Sequence, residues 1–374
     1  MRNLRRLSGV IAAAVAVGTL AAGCGGGGGD PELSIYLSAP LRGPVAADGR
    51  DVADGARLAL ADAGAEAGGV TVELKVLDDA GSGGSAAALA GANARRATED
   101  STAIAYLGEL DSGTTRTSLP ITNEAGLLQV SPGASAVDLT REAPGSDQVP
   151  TAVQPSGTRT FGRVVPADTA QGAAVAGALA DEPDIGRVAL AGPESPYGQS
   201  LRDGFQSVSA APAVAGGAAA DAIYDISPRP GALADQGAGP DARLYGADAQ
   251  IFAAPPRTKL PPGSTLASGP LAPPQLPAGD FADRFRSADD RAPGRFAAYG
   301  YEAMAVVLDA IDRADDPLDR RSVVDAFFAT ADRDSILGTY SIDEAGDTTL
   351  DSVGAYEAQG GGGLAPATRP LEIP

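Results

Sequence analysis

The sequence predicts an α/β protein with parallel sheets, helices on both faces of each sheet, and a division into two lobes. Short apolar runs alternate with helical stretches, and the connections between them are short, which is typical of parallel sheets. The chain of 374 residues is also longer than one hydrophobic core normally supports. In sheets of this kind, ligands bind in the crevice at the carboxyl ends of the strands.

In the first half of the chain, apolar runs predict strands, and Ala-rich stretches with helical spacing predict helices. The predicted strands are 33–37, 70–77, 103–108 and 127–130. The predicted helices are 51–63, 85–100 and one that runs through Leu119 and Thr122. These strands and helices alternate along the chain, as a parallel sheet with covered faces requires.

The second half repeats this alternation with one interruption. Its predicted strands are 187–192, 222–226 and 242–246, and its predicted helices are 199–208, 295–314 and 320–331. Residues 209–280 break the pattern, because they are rich in Ala, Gly and Pro and carry eight prolines between positions 255 and 277. Since proline ends helices, this stretch is predicted to form strands joined by irregular connections.

The first 23 residues are typical of a secretory signal. Three arginines precede an uncharged apolar run at 10–20, and small residues follow it. That run is too short to span a bilayer comfortably, so a permanent transmembrane helix is the weaker interpretation. The sequence therefore predicts an exported protein and a signal peptide at 1–23.

Cys24, the only cysteine of the chain, directly follows this segment. The context resembles the lipobox of bacterial lipoproteins, although the large apolar residue, Leu20, lies four positions before the cysteine and Ala21 lies three before it. The resemblance implies that Cys24 receives a diacylglyceryl group and anchors the protein, with 25–29 as a flexible glycine tether. The alternative is a buried free thiol, which fits poorly inside a glycine run.

Composition excludes several classes of function. The net charge is −20, and removal of residues 1–23 makes it more negative, because that segment holds three arginines and no acid. This charge argues against binding to nucleic acid or to an anionic membrane surface. The chain has no histidine, no tryptophan and only two lysines, Lys75 and Lys259. A Ser–His–Asp triad, a His-ligated zinc and a cysteine nucleophile beyond the anchor are therefore excluded, and no metal or cofactor is predicted.

Two loops that follow predicted strands offer groups for an anion. Residues 108–116 and 131–136 supply small hydroxyls and backbone N–H groups where helix N-termini are predicted, which suits a carboxylate. No glycine-rich loop carries a lysine, so a phosphate-binding P-loop is absent from the sequence. The alternative for Asp111, Ser112 and Ser135 is plain N-capping of helices.

Two further residues offer contacts for an amine. Tyr197, in the loop 192–200, provides an aromatic wall or a hydroxyl donor, or else it is a turn residue that packs on its own helix. Asp248 follows a predicted strand, where its carboxylate could pair with an ammonium; the alternative is a solvated loop acid. Hydroxyls and amides for a carboxylate, together with an acid for an amine, describe a site for an amino-acid-sized zwitterion.

Several stretches in order resemble the leucine/isoleucine/valine-binding type of periplasmic binding protein. They are "LSIYLSAPLRGPVAADGRDVADGARLALADAG" (33–64), "LDDAGSGGSAAALAGANA" (77–94), "YLGELDSGTTRTSLPITNEAGLLQVSPGASAVDLT" (106–140), "SPYGQSLRDGF" (195–205) and "AAYGYEAMAVVLDAI" (297–311). The resemblance implies two Rossmann-like lobes joined by three crossover hinges, which close on a small ligand and hand it to an ABC importer.

The resemblance also implies boundaries. The segments are 1–23 for the signal peptide, 24–31 for the lipidated cysteine and tether, 32–163 with 271–336 for lobe 1, and 164–270 with 337–374 for lobe 2. The hinges are expected near Arg163–Ala167, Ala267–Leu271 and Leu337–Tyr340.

By position, the resemblance assigns roles to the residues that the loops had already indicated. Ser112 matches a serine that binds the ligand carboxylate, and Tyr197 and Asp248 match an aromatic and an ammonium-binding acid of the second lobe. The remaining implied ligand-binding residues, which complete the carboxylate site, are Gly133, Ala134 and Ser135.

Two departures from the family stand out. Asp48 replaces an aromatic residue after the first "GP", which would either weaken packing on an aliphatic ligand or add a polar contact. Residues 237–249 run together two stretches that relatives separate by a strand, a ligand-facing loop and a helix. This leaves open a second lobe reduced by one βα unit, with altered ligand choice, weak binding or incomplete closure.

The leading hypothesis is therefore a monomeric, lipid-anchored, extracytoplasmic solute-binding protein, not an enzyme. Its expected partners are a small amino acid of the branched-chain type or a related carboxylate, the permease subunits of an ABC importer, and the membrane through its lipid anchor. The alternative is a ligand-sensing receptor ectodomain of the same fold. An enzyme that uses Asp78 and Asp79 is a third hypothesis, but these acids are better explained as a solvated or helix-capping pair.

Overall fold

The structure of the protein is a computed structural model. It describes residues 32–80, 86–143, 145–147, 149–209, 213–214, 220–229, 232–235, 239, 241–252, 260–360 and 363–374. The predicted signal peptide, lipidated Cys24 and glycine tether lie outside these residues.

The first lobe is built on a six-stranded sheet. Its strands are β1 (Glu32–Ala39), β2 (Glu66–Ala67), β3 (Val70–Asp78), β4 (Ala103–Leu107), β5 (Leu128–Ser131) and β6 (Phe161–Arg163). Its first helices are α1 (Ala46–Asp62), α2 (Ala86–Glu99), α3 (Ser112–Glu124) and α4 (Pro150–Val153). The strand order is β2-β3-β1-β4-β5-β6, and all neighbours are parallel except β2 and β3.

The second lobe follows and is built on an eight-stranded sheet. Its elements in chain order are α5 (Asp168–Ala180), β7 (Val188–Ala191), α6 (Pro196–Val208), β8 (Ala213–Val214), β9 (Ala222–Asp225), β10 (Arg243–Gly246), α7 (Asp248–Phe252) and β11 (Thr265–Ser268). The chain then returns to the first lobe through α8 (Phe281–Asp289), α9 (Ala297–Arg313), α10 (Arg320–Phe328) and the hairpin of β12 (Arg333–Ser335) and β13 (Gly338–Tyr340). It ends in β14 (Ser352–Ala358), β15 (Leu364–Pro366) and β16 (Leu371–Glu372).

The second sheet is mixed. Its order is β15-β14-β11-β10-β9-β7-β8, with β16 also paired to β14. Strands β7 to β11 are mutually parallel, whereas β14 runs antiparallel to β11, β15 and β16. The α/β class and the parallel cores of both sheets confirm the predicted fold class, while the antiparallel strands after residue 351 were not predicted.

Strand β1 shows how the sequence pattern covers both faces of the first sheet. Ile35 packs into the core formed with α1 and α9, while the next residue, Tyr36, packs into a separate cluster with Ala94 of α2 and Ile121 of α3. Because successive side chains of a strand point to opposite faces, a run of apolar residues marks a strand that is buried on both sides. The continuous burial of β4, its neighbour, has the same cause.

Helices α1 and α9 cross closely on one face of this sheet, and glycine makes the approach possible. A Cβ atom on Gly55 would lie 2.0 Å from the carbonyl oxygen of Ala297, and one on Gly300 would lie 2.2 Å from that of Val52. Each helix therefore needs its glycine so that the two backbones can touch. Helices α5 and α6 of the second lobe cross in the same way, through Gly172 and Gly204.

Among the residues that the structure describes, the middle of the second lobe has little helix. Within the described part of residues 226–264, the only α-helix is α7, and the β9–β10 connection contains a short 3-10 turn at Ala232–Asp235. This agrees with the expectation of strands joined by irregular connections in this region.

The third passage between the lobes lies later than the sequence predicted. Leu337, Tyr340 and Leu350 all pack in the core of the first lobe, and the chain joins the second sheet only at β14. Tyr340 is fixed there because its hydroxyl donates to Glu302 of α9 at 2.7 Å. The expected hinge at Leu337–Tyr340 is therefore wrong, and the passage lies between Leu350 and Ser352.

Candidate functional site

A cavity of about 860 Å³ lies between the carboxyl ends of the two sheets. Pro40, Asp79 and Gly133 line it from the ends of β1, β3 and β5, while Asp248 and Pro270 line it from the ends of β10 and β11. This is where parallel sheets place their ligand sites, since the loops after the strands converge there. The apolar part of its lining includes Pro44, Val45, Leu110, Val165, Pro228 and Phe296.

A second cavity of about 320 Å³ adjoins the first. Asp111, Ser112 and Ser135 line both cavities, and Asp168 and Tyr197 line only the smaller one. The two predicted hydroxyls therefore stand at the border between an apolar compartment and a polar one. We refer to the two cavities together as the cleft.

Asp111 and Ser112 form the start of α3. Asp111 is the N-cap, and its Oδ1 accepts hydrogen bonds from the backbone N–H groups of Gly113 at 2.8 Å and Thr114 at 3.1 Å. The alternative of plain capping is therefore realised for Asp111. Ser112 Oγ accepts from the N–H of Ala136 at 3.1 Å, so its own O–H remains able to donate to a ligand.

The loop after β5 arranges its amides differently from the prediction. The N–H groups of Gly133 and Ala134 both donate to Ser131 Oγ, at 3.2 and 2.8 Å. Gly133 lines the larger cavity, but Ala134 is fully buried and belongs to the lining of neither cavity. Among the predicted carboxylate-binding groups, the structure thus brings the Ser112 and Ser135 side chains to the cleft and turns these two amides inward.

Arg163 holds this loop from behind. Its fully buried guanidinium donates to the carbonyl oxygens of Ala134 at 3.1 Å and Ala136 at 2.7 Å, and to Asp347 at 2.8 Å. Burial alone would raise the pKa of Asp347, but Arg163 and Arg141 outweigh burial and lower it. The Arg163–Asp347 ion pair therefore holds the loop that carries Ser135 in place. Asp347 itself lies in the chain segment just before the third passage between the lobes.

Tyr197 and Asp248 meet on the second-lobe side of the cleft. The Tyr197 hydroxyl donates to Asp248 Oδ1 at 2.6 Å, and Gln171 Nε2 donates to Oδ2 at 3.1 Å. Asp248 is buried, and burial raises its pKa even though the Tyr197 bond opposes the shift. Asp248 is therefore not a solvated loop acid, and Tyr197 is not only a turn residue that packs on its own helix. The two side chains form a hydrogen-bonded pair in the cleft.

Asp168, at the start of α5, is a cleft residue that the sequence analysis missed. It is buried, it lies beside the Ser135 hydroxyl, and its Oδ1 has no hydrogen-bond partner among the described residues. Burial and the nearby Asp248 raise its pKa to about 7. The buried hydroxyl of Tyr224, which also interacts electrostatically with both acids, likewise has no partner among the described residues. The available signal was the stretch "PADTAQGAAVAGALA" (166–180), an acid at the start of an Ala-rich helix.

Asp48, the residue where an aromatic was expected, lines the larger cavity and pairs with Arg295 at 3.0 Å. The departure from the family pattern thus places an ion pair where an apolar contact was expected.

Cys24 lies outside the described residues, within which no group of three or more His, Cys, Asp or Glu side chains is arranged to hold a metal ion. In that same part of the chain, no helix combines the length and apolar character needed to cross a membrane.

Comparison with protein families adds one match. The family described as periplasmic binding protein matches residues 33–255. No curated protein sequence matches the chain.

Solved structures share the fold at low identity. A leucine-binding protein from Thermotoga maritima is 22% identical, with a TM-score of 0.64 over 90% of this chain and 97% of that one. A branched-chain amino acid transporter substrate-binding protein from Streptococcus pneumoniae, in complex with isoleucine, is 20% identical, with a TM-score of 0.65 over 90% and 100%. A solute-binding protein of an ABC transporter from R. palustris, in complex with benzoate, is 17% identical, with a TM-score of 0.62 over 91% and 97%.

Proposed function

We propose, since this chain belongs to the periplasmic binding protein family, that it captures a small amino acid between its lobes and delivers it to an ABC importer. Solute binding is the property of the family, whereas the ligand and the importer are our proposal. The related structures named above hold isoleucine and benzoate, so both zwitterions and simple carboxylates are candidate ligand classes.

One observation carries the choice of a zwitterion. Ser135, from the first lobe, lines both cavities, and Asp168, from the second lobe, lies beside it in the smaller cavity, where Asp168 Oδ1 lacks a donor among the described residues. A hydroxyl next to a buried carboxylate fits a carboxylate and an ammonium that are separated by a single carbon atom. Asp248 and Tyr197 add a second acceptor and an aromatic ring beside the same position.

Lobe closure follows from the division of these contacts. The hydroxyls belong to the first lobe and the acids to the second, so an amino acid gains its full set of partners only when both lobes reach it. A ligand shifts the open–closed equilibrium by its differential affinity for the two forms. Closure would also remove the buried acids further from water, which strengthens their attraction for an ammonium.

The N-terminal segment supports a location outside the cytoplasm. We propose that Cys24 is acylated and that residues 25–29 tether the protein to the outer face of the membrane, as the sequence predicts. Metabolic labelling with a radioactive fatty acid tests this directly: the wild-type chain should incorporate label and the Cys24→Ser variant should not.

Thermal unfolding of the full chain against amino acids, amides and aromatic carboxylates tests the ligand proposal. A ligand at a hundred times its dissociation constant adds about 2.7 kcal/mol and should raise the midpoint by a few degrees. We expect shifts with α-amino acids but not with benzoate, and we expect Ser112→Ala and Asp248→Asn to reduce them. Asp351→Asn, at an exposed position, is the matched control. A cooperative melt that no compound shifts would overturn the proposal.

A further inference from the structure

Asp79, at the first-lobe end of the larger cavity, forms an acidic pair with Glu109, which lies behind it and lines neither cavity. Asp79 follows β3, lines the cavity and is only 3% exposed. Glu109 follows β4 and is fully buried, with its side chain against that of Asp79. Tyr106 donates its hydroxyl to Glu109 Oε1 at 2.5 Å, and the carboxyl groups of Asp79 and Glu109 are hydrogen-bonded to each other.

This pair has no cation within the part of the chain that the structure describes. Neither Asp79 nor Glu109 forms an ion pair there, and Arg42, which lines the same cavity, is bonded to Asp78 and to the carbonyl oxygen of Ala80. Burial raises the pKa of Glu109 well above its usual value, and contact with Asp79 raises it further. Burial also raises the pKa of Asp79, the neighbouring Asp78 and Asp111 raise it further, and the hydrogen bonds with Glu109 and Ser38 oppose this shift.

The lining of the whole cleft carries more acidic than basic side chains, which favours a ligand with additional positive charge. Six carboxylates line the two cavities, namely Asp48, Asp79, Asp111, Asp138, Asp168 and Asp248, against the two guanidiniums of Arg42 and Arg116. Arg42 already pairs with Asp78, Arg116 with Asp138, and Arg295, outside the lining, with Asp48. The lining acids without an ion pair among the described residues are Asp79, Asp111, Asp168 and Asp248. A simple carboxylate would add negative charge to this lining and a neutral amino acid would leave it unchanged, whereas a ligand with one additional positive charge would offset part of it.

From this geometry we propose that the ligand is a basic amino acid, whose side-chain cation binds at Asp79, with Glu109 buried behind it. The inference rests on the proposed function, because Ser135, Asp168 and Asp248 hold the α-carboxylate and α-ammonium. The apolar lining between the two ends, including Leu110 and Phe296, packs against the methylene groups of the side chain. The size of the larger cavity, about 860 Å³, leaves room for a long side chain.

Titration calorimetry with matched ligand pairs tests the proposal on the full chain. Arginine is compared with citrulline and lysine with norleucine, because each pair differs mainly in the side-chain charge. A charge-assisted hydrogen bond to a buried carboxylate corresponds to about a ten- to hundredfold tighter binding of the charged member. We expect Asp79→Asn to abolish this preference and Asp351→Asn, at an exposed position, to retain it.

Proton release supplies a second measurement that needs no variant. A cation beside the acidic pair favours loss of the proton that Glu109 holds, so lysine should release more protons than norleucine when binding heats are compared in phosphate and Tris at one pH. The α-ammonium is common to both ligands, so its effect on Asp168 cancels in the difference.

The outcomes separate the two proposals. If no amino acid binds, the proposed function fails. If citrulline and norleucine bind as tightly as arginine and lysine, the solute-binding function stands and the basic-ligand inference is overturned. A preference for the charged ligands that survives in Asp79→Asn, or equal proton release by lysine and norleucine, overturns the assignment of the cation to the acidic pair.

Discussion

Replacing Asp168 by asparagine should stabilise the empty protein while it weakens ligand binding. The folded chain holds this carboxyl at a pKa of about 7, because it is buried and faces Asp248, against 3.8 for the free side chain. Between these two values the folded state binds the proton more tightly than the unfolded state does. Stability therefore falls as pH rises from about 4 to about 7, and it stays low above that range.

The size of the effect follows from the same two pKa values. Each unit of pKa difference corresponds to about 1.4 kcal/mol, so the raised pKa of Asp168 lowers stability by about 4 kcal/mol at pH 8, where the folded carboxyl is ionised. At pH 5 it lowers stability by about 2 kcal/mol, because the carboxyl must take up a proton on folding. Asparagine keeps the shape of the side chain and carries no charge. We expect Asp168→Asn to be more stable than the wild type by these amounts, with the larger gain at pH 8.

Urea unfolding of the empty protein at pH 5 and pH 8, at constant ionic strength, measures both values. Other buried acids titrate in the same range but are common to both proteins, so the difference between the two reports on Asp168 together with its coupling to Asp248. Asp351→Asn, at an exposed position, is the control and should follow the wild type at both pH values. A variant that is no more stable than the wild type at pH 8, or whose advantage does not grow with pH, would refute the reasoning.

Three further predictions concern packing, positioning and binding. Gly300→Ala should destabilise the protein by about 1–3 kcal/mol in urea, because its methyl group meets the opposing helix, whereas Gly279→Ala, with nothing within 4 Å of its Cβ, should change little; equal effects would contradict the close crossing. Arg163→Met should cost about 3–5 kcal/mol by breaking a buried ion pair, and a loss below 1 kcal/mol would show that the pair is dispensable. Tyr197→Phe removes the hydroxyl bond to Asp248, so amino-acid affinity measured by calorimetry should fall about three- to tenfold, and unchanged affinity would count against a role for that hydroxyl.

Local sequence patterns were sufficient to predict the elements that determine the fold. Strand β4 is buried on both faces, and its sequence is a continuous run of apolar residues. Helix α9 is buried on nearly all sides, and its apolar residues recur at helical spacing. Both patterns are visible in a single stretch of sequence. The missed helix α5 has the same kind of signal in its alanines, so the omission was avoidable. The third passage was not predictable in this way, because Tyr340 stays in the first lobe through a bond to Glu302, 38 positions away.

In the candidate site, too, local sequence patterns predicted some features, and contacts within the folded chain determine the others. Ser112, Ser135, Tyr197 and Asp248 could be named because each follows a predicted strand end. The sequence does not show which hydrogen-bonding groups of these loops already have partners inside the protein. The amides of Gly133 and Ala134 are an example, since their acceptor, Ser131 Oγ, lies within the same loop and requires a specific turn.

The acids of the cleft have a common physical consequence for binding. Asp79, Asp168 and Asp248 form no ion pair within the described residues, and burial raises the pKa of all three. The same burial makes each of them a strong partner for a cation, because water no longer competes for the carboxylate. An empty cleft of this kind is therefore least stable where its acids are ionised, and a cationic ligand should stabilise it most at those pH values. The pH dependence of ligand stabilisation should thus be the reverse of that of the empty protein, rising from pH 5 to pH 8.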